Sequence, residues 1–374
     1  MLITFRLLLS QLGLLLGLVA TLTRAIQAQP LPRNFPVTDR PVAIVAGDFD
    51  GDGDQDVATA DSYSNSISIL DNLENTGVAS ARNFPLLSTS TALSTIVAGD
   101  VDGDADLDLV VGSYRTTGLA LLRNNGDATF TEVETISDSV GDDVSSLVIG
   151  DLDGDGDLDL AIGTDFAINI FKNDGNGTFT LSQVKYLIRG SASDVAVGDL
   201  DGDGDLDLAA TAGYDYTVYI AILKNDGTGN FRTTSSRDSS REYPTSIAVG
   251  DLDGDADLDL VVGNADVNSV TVLENNGDAT FGPSHFFANS GPAYDVALGD
   301  VDGDGQLDVV TVVARRNLAS VLFNRGSAQL AAPLSIRVGQ SPRSLVAQDL
   351  NGDAQVDLAT ANSGSDDVTL LLNP

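Results

Sequence analysis

Aspartates on alternate residues are the most chemically loaded feature of this chain. Asp151, Asp153, Asp155, Asp157 and Asp159 fall within nine residues, with Gly154 and Gly156 between them. Five like charges this close repel strongly, so the segment asks for a counter-ion. Carboxylates displayed on a tight, glycine-permitted turn suit a hard divalent cation. The segment recurs six times. Asp48, Asp50, Asp52, Asp54 and Asp56 form the first copy, and Asp100, Asp102, Asp104, Asp106 and Asp108 the second. After the third copy come Asp199, Asp201, Asp203, Asp205 and Asp207, then Asp251, Asp253, Asp255, Asp257 and Asp259. The sixth has Asp300, Asp302, Asp304, Gln306 and Asp308, and the seventh Asp349, Asn351, Asp353, Gln355 and Asp357. Successive copies start 52, 51, 48, 52, 49 and 49 residues apart.

With each loop numbered from its first Asp, positions 1, 3, 5 and 9 are predicted to offer side-chain oxygens. Position 7 is predicted to offer its backbone carbonyl, with water completing the shell, as in the first part of an EF-hand loop. Oxygen-only ligands favour Ca²⁺ over Mg²⁺ or a transition metal, with up to seven ions, one per loop. A solvated acidic turn is the competing account, and sevenfold repetition argues against it. Ala105, Ala256 and Ala354 at position 6 would strain a left-handed turn. Gln306 and Gln355 should matter little where only backbone is needed. Asn351 removes a charge, so the seventh loop should be the weakest. Calcium is expected to be structural.

The loops explain the charge. The chain carries 55 acidic residues against 19 Lys and Arg, a formal net charge of −36. The loops hold 32 of those acids, which leaves 23 elsewhere and only about −4 for the remainder. Even seven divalent ions would leave about −22, hostile to nucleic acid and to anionic membrane. The chain has no Cys and no Trp, and His285 is its single His. Disulfides, thiolate chemistry and zinc or His-based catalytic centres are thereby disfavoured. Residues 1–28 read as a secretory signal peptide, with Arg6, an apolar stretch from Leu7 to Ala20, and cleavage after Ala28 or Ala25. This predicts a secreted or periplasmic protein, with a bacterial-type signal, and no membrane insertion after cleavage.

The elements that position the loops follow from the flanking residues. Before each loop a short apolar run ends in Gly (Gly47, Gly99, Gly150, Gly198, Gly250, Gly299), except at Gln348. After each comes an alternating run such as Leu158 to Gly163, which reads as a strand. A third apolar run closes in Asn-Asn-Gly or Asn-Asp-Gly, a hairpin signal, at Asn124, Asn173, Asn225 and Asn275. These Asn and Asp residues read as turn formers. Phe130, Phe179, Phe231 and Phe281 then open a fourth, more polar strand. Each unit of about fifty residues is thus a four-stranded antiparallel meander, and seven arranged radially make an all-β, seven-bladed β-propeller over residues 29–374. Arg33-Asn34-Phe35-Pro36-Val37 resembles Arg82-Asn83-Phe84-Pro85-Leu86, the fourth strand of the first unit. The last unit ends after its third strand, so residues 33–38 are predicted to pair with it and close the ring.

On these loops, the Gly before them and the hairpins from Asn275 to Phe281-Gly282, the chain resembles the FG-GAP/VCBS repeat family. These are seven-bladed propellers that also form the head of integrin α chains. The resemblance spans roughly residues 30–374 and implies the fold and calcium without naming a function. Integrin heads carry calcium loops in only some blades, whereas here every unit has one. In such a meander the loops lie at one end, leaving the other end free. Six of the eight Tyr fall there: Tyr63, Tyr114, Tyr214, Tyr216, Tyr243 and Tyr294, with Arg115, Arg241, Arg315 and Arg316 nearby. Tyr and Arg are enriched in binding hot spots, and the resemblance implies recognition through this face. The leading expectation is a monomeric, secreted, calcium-stabilised recognition or adhesion module for a protein or glycan. A carbohydrate-active enzyme using a carboxylate pair and a passive envelope scaffold are the alternatives. No catalytic residue is assigned.

Overall fold

The computed structural model describes residues 32–71, 81–87, 92–114, 118–136, 143–187, 191–214, 217–238 and 243–373. The expected signal peptide, Arg115, Tyr216 and Arg241 lie outside the described residues, as does the side chain of Tyr214. Seven four-stranded antiparallel sheets form the molecule. In the third blade, for example, the strands are Val144–Gly150, Asp159–Thr164, Ala167–Asn173 and Phe179–Tyr186, in that spatial order. First strands of neighbouring blades touch all the way round, and Pro41–Gly47 lies against Pro342–Gln348 to complete the circle.

The closure expected from the two chain ends is present. Arg33–Pro36 is the outer strand of the seventh blade, antiparallel to Asp367–Leu371, with Arg33 opposite Leu370 and Phe35 opposite Val368. Asn34 Oδ1 accepts a hydrogen bond from Thr369 Oγ1 at 2.9 Å, and Val37 N donates to Asp366 O at 3.0 Å. The added strand covers the outer edge of Asp367–Leu371, which would otherwise stand open to pairing with another chain.

The second and third strands are buried on both faces, as in Asp159–Thr164 and Ser66–Leu70. Seven apolar clusters fill the seams between successive blades. Phe49, Ile67 and Leu109, for instance, join the first blade to the second. A single sheet therefore has no core of its own, and stability comes from the ring.

The glycine that precedes each loop follows from this packing. A Cβ on Gly47 would lie 2.6 Å from Leu107 Cδ1, and one on Gly250 would lie 2.8 Å from Leu307 Cδ1. Each such glycine makes room for the position-8 side chain of the next blade's loop. The seventh blade faces the first, whose loop has Gln55 at position 8 where other loops have Leu or Val. Gln348 is therefore tolerated, and its Nε2 donates to Gln55 Oε1 at 2.9 Å. The two irregular residues are one matched pair.

Two strand starts differ from expectation: Phe231 lies one residue before the strand Arg232–Asp238, and the fifth blade departs further. Phe281 forms only an isolated bridge with Asn275, and the fourth strand of that blade runs His285–Ala288. Gly282-Pro283 intervenes, and Pro283 has no N–H to give to a ladder. The single histidine thus opens an outer strand.

Candidate metal centres

Each aspartate loop joins the first strand of its blade to the second. Its geometry repeats because its own carboxylates replace the backbone partners that a tight turn lacks. Position 1 caps the turn: Asp48 Oδ2 accepts from Gly53 N at 3.0 Å, and Asp151 Oδ2 from Gly156 N at 3.1 Å. The position-7 N–H donates to position 5, as from Asp157 N to Asp155 Oδ1 at 3.0 Å. Position 6 has positive φ in the glycine loops and, as expected, in the alanine loops too: 76° at Ala105, 77° at Ala256 and 65° at Ala354. The alanines accept the strained region because position 1 still binds their N–H, at 2.9, 3.0 and 2.7 Å.

Position 9 opens the second strand and is fully buried, as Asp159 and Asp259 show. Asp159 Oδ2 accepts from Leu152 N at 3.1 Å and its Oδ1 from Asn173 N at 2.8 Å. Burial dominates these donors and pushes Asp108, Asp159, Asp207, Asp259 and Asp357 up to about 6, and Asp308 to about 7.

The loops bring carboxylate oxygens together. Within each of five loops, three such oxygens lie within 4.8 Å of one another. These are Asp48, Asp50 and Asp56; Asp100, Asp102 and Asp108; Asp151, Asp153 and Asp159; Asp199, Asp201 and Asp203; and Asp251, Asp253 and Asp255. Position-7 side chains sit elsewhere. Asp157 and Asp205 lie over Gly175 and Gly227 of their own hairpins, where a Cβ would come within 2.6 and 2.4 Å of their Oδ2 atoms. Position 7 is thus left with its backbone carbonyl for any shared ion.

Whether the donors fit a cation is answered by two atoms. Asp102 Oδ1 and Asp201 Oδ1 are buried and have no hydrogen-bond partner, although their side chains are only 10% and 14% exposed. Their Oδ2 atoms face Arg123 and Lys224 at 3.0 and 2.8 Å. In each carboxylate it is thus the second buried oxygen that lacks a donor, which is costly. Oxygen-rich clusters with orphaned lone pairs have the donor chemistry of Ca²⁺.

Sequence reasoning missed the partners that hold each loop to its neighbour. The hairpin Asn does shape its turn, since Asn124 Oδ1 accepts from Gly126 N at 3.1 Å. Its Nδ2 also donates to Leu107 O of its own loop at 3.1 Å and to Phe49 O of the preceding blade's loop at 2.7 Å. The clamp recurs at Asn173, Asn225, Asn275, Asn324 and Asn373. Position 2 adds an apolar plug: Phe49, Val101, Leu152, Leu200 and Leu252 are buried in the seams. Near the axis, Ser146 Oγ donates to Asp194 Oδ1 at 2.7 Å and Ser246 Oγ to Asp295 Oδ1 at 3.0 Å. Asp194 Oδ2 and Asp295 Oδ2 accept from Ile247 N and Leu345 N in the following blades, both at 2.9 Å. These two acids tie blades together.

At the opposite end, Tyr63 is 64% exposed, with the Arg40 guanidinium 4.5 Å above its ring. Tyr114 and Tyr243 are also exposed, while Tyr294 is partly buried beneath Arg343 at 5.2 Å. Arg315 and Arg316 lie in a one-turn helix, and Arg316 Nη1 donates to Ser290 O at 2.5 Å. Phe166 and Tyr186, 64% and 77% exposed, were not anticipated. They adjoin because Leu187 N donates to Phe166 O at 2.9 Å. Among the described residues no helix is long and apolar enough to cross a membrane.

Comparison with known proteins agrees with this geometry. No curated protein matches the sequence. Among solved structures, a lectin from Agrocybe aegerita, described as specifically recognising non-reducing terminal N-acetylglucosamine, superposes with a TM-score of 0.59 at 20% identity. The match covers 87% of this chain and 86% of that one. BBS1N in complex with ARL6DN matches with TM-scores of 0.62 and 0.63 in two crystals, both at 15% identity. Those matches cover 92% and 93% of this chain and 97% of theirs. At such identities the likeness is one of fold. The FG-GAP-like repeat model matches residues 48–111, 100–162, 151–210, 209–262 and 251–311, more than half of the sequence. The chain belongs to the FG-GAP-like repeat family.

Proposed function

We propose that the protein is a secreted, calcium-stabilised binding module that meets a protein or glycan with the face opposite its aspartate loops. The observation that carries this reading is the exposed aromatic set on that face: Tyr63, Tyr114, Phe166, Tyr186 and Tyr243. Exposed rings, one of them (Tyr63) with an Arg guanidinium stacked on it, suit sugar faces and protein hot spots alike. Similar propellers include one described as recognising N-acetylglucosamine and one in a protein complex, which supports a binding role. Calcium is assigned to the loops on their donor chemistry, and secretion on the N-terminal sequence alone.

Calcium-loaded protein should be screened on a glycan array and in a pull-down from native surface material. The double variant Phe166→Ala/Tyr186→Ala and the single Tyr63→Ala should lose captured ligand while melting as the parent does. Retention of binding by all of them would overturn the choice of face.

A further inference from the structure

The seven loops look alike, but their surroundings differ in charge. The residue before the hairpin Asn is Arg123, Lys172 and Lys224 in the second to fourth blades, while in the sixth blade Arg325 directly follows Asn324. Arg123 Nη1, Lys172 Nζ and Lys224 Nζ lie 3.0, 2.6 and 2.8 Å from position 3 of their own loops, on Asp102, Asp153 and Asp201. Arg325 is looser, 3.9 Å from Asp302. Each of these loops therefore has a built-in cation competing for one of its own ligands.

In the fifth blade the same place is taken by Glu274, directly before Asn275. The equivalence is structural, because Asn275 N donates to Asp259 Oδ1 at 2.8 Å as Asn124 N does to Asp108 Oδ1 at 2.9 Å. Glu274 interacts electrostatically with Asp253, the position-3 residue of that loop. Among the described residues it makes no ion pair. The first blade also has an acid here, Asp71, but Arg82 neutralises it at 2.8 Å. Arg82 faces Ile69 across the strands, and the residue in that register in the fifth blade, opposite Val272, is His285.

We propose that the fifth-blade loop is the tightest Ca²⁺ site of the chain, made so by Glu274 standing where other blades carry Lys or Arg, and that it fills first. The inference rests on the calcium reading of the loops. Ligand charge is what grades affinity among such loops. The fifth loop and its neighbour carry six negative charges. The second, third and fourth have a net four, and the sixth and seventh a net three. The first has five, its Asp71 being paired. The order of filling is therefore fifth, first, then second to fourth, with the sixth and seventh last.

Calorimetric titration of the chelator-stripped full chain with Ca²⁺ tests this. One ion should bind about tenfold or more tighter than the bulk, equivalent to about 1.4 kcal/mol. Glu274→Lys should merge that ion with the others without changing the number bound, and Glu274→Gln should fall between. Lys172→Glu should add a second tight ion, which keeps the proposal testable if Glu274→Lys does not fold. A single affinity class in the parent, a tight ion surviving Glu274→Lys, or no gain from Lys172→Glu would overturn it. No uptake of Ca²⁺ by the parent would instead overturn the calcium reading itself.

Discussion

The two ends of this propeller are built on opposite rules. At the loop end the first and ninth acids accept the same backbone hydrogen bonds in blade after blade. At the other end the side chains differ in every blade, and large rings such as Tyr186 and Phe166 stand in solvent. Repetition marks the end that builds the ring, and we read the irregular end as the one that meets a partner. Family membership accounts for the first end and leaves the second open, since loops set on a rigid scaffold are where recognition varies.

The sharpest way to break this contrast is to remove divalent ions. If free Ca²⁺ is about ten times Kd, each independent site adds about 1.4 kcal/mol, and the seven together roughly 10 kcal/mol. That rivals the whole stability of a typical domain, about 5–15 kcal/mol. Differential scanning calorimetry in EDTA should show a large fall in melting temperature.

The sign of the pH dependence should then differ between the stripped and loaded protein. Without metal, buried position-9 acids titrate near 6 and Asp61 near 7, above the ordinary 3.8. Burial raises Asp61 despite hydrogen bonds from Ser68, Thr38 and Thr59. The folded state therefore binds more protons than the unfolded chain, and acidification from pH 8 to about 5 should stabilise the stripped protein by on the order of a few kcal/mol. With Ca²⁺ bound, protons compete for the same oxygens, and the same acidification should destabilise it. Melting curves across this range with EDTA or Ca²⁺ should slope in opposite directions.

A smaller effect tests the seams. Asn225→Ala should leave Leu152 O and Leu206 O without their side-chain donor and cost about 1–3 kcal/mol for each buried carbonyl it orphans, read in urea melts. At the other end, Tyr186→Ala should shift the same melt by less than about 0.5 kcal/mol while removing ligand capture. A seam variant without effect, or a large loss from Tyr186→Ala, would erase the division between the two ends.

Much of the building end was legible in the sequence. Asp spacing, the preceding Gly and the hairpin Asn-Gly pairs are local signals, and Arg33–Pro36 could be matched to Arg82–Pro85 by eye. The inter-blade clamp was not legible, because Asn225 reaches Leu152, 73 residues earlier, and nothing local distinguishes a turn-forming Asn from one that also spans a seam. Gln348 looked like a lapse in the repeat until its contact with Gln55 showed both to be one accommodation at the seam between last and first blades. Phe281 was misplaced as a strand start because its resemblance to Phe130 outweighed the proline two residues later. On the exposed face, Phe166 and Tyr186 carry no repeat signal, and only their cross-strand pairing brings them together.

The central claim is that the loops are cation sites on which the ring depends. Its most direct test is equilibrium dialysis of the purified protein against Ca²⁺, followed by elemental analysis of bound metal per chain. The account predicts Ca²⁺ approaching one ion per loop, lost in parallel with cooperative folding as chelator is added. A folded propeller that retains no Ca²⁺ after dialysis would contradict it.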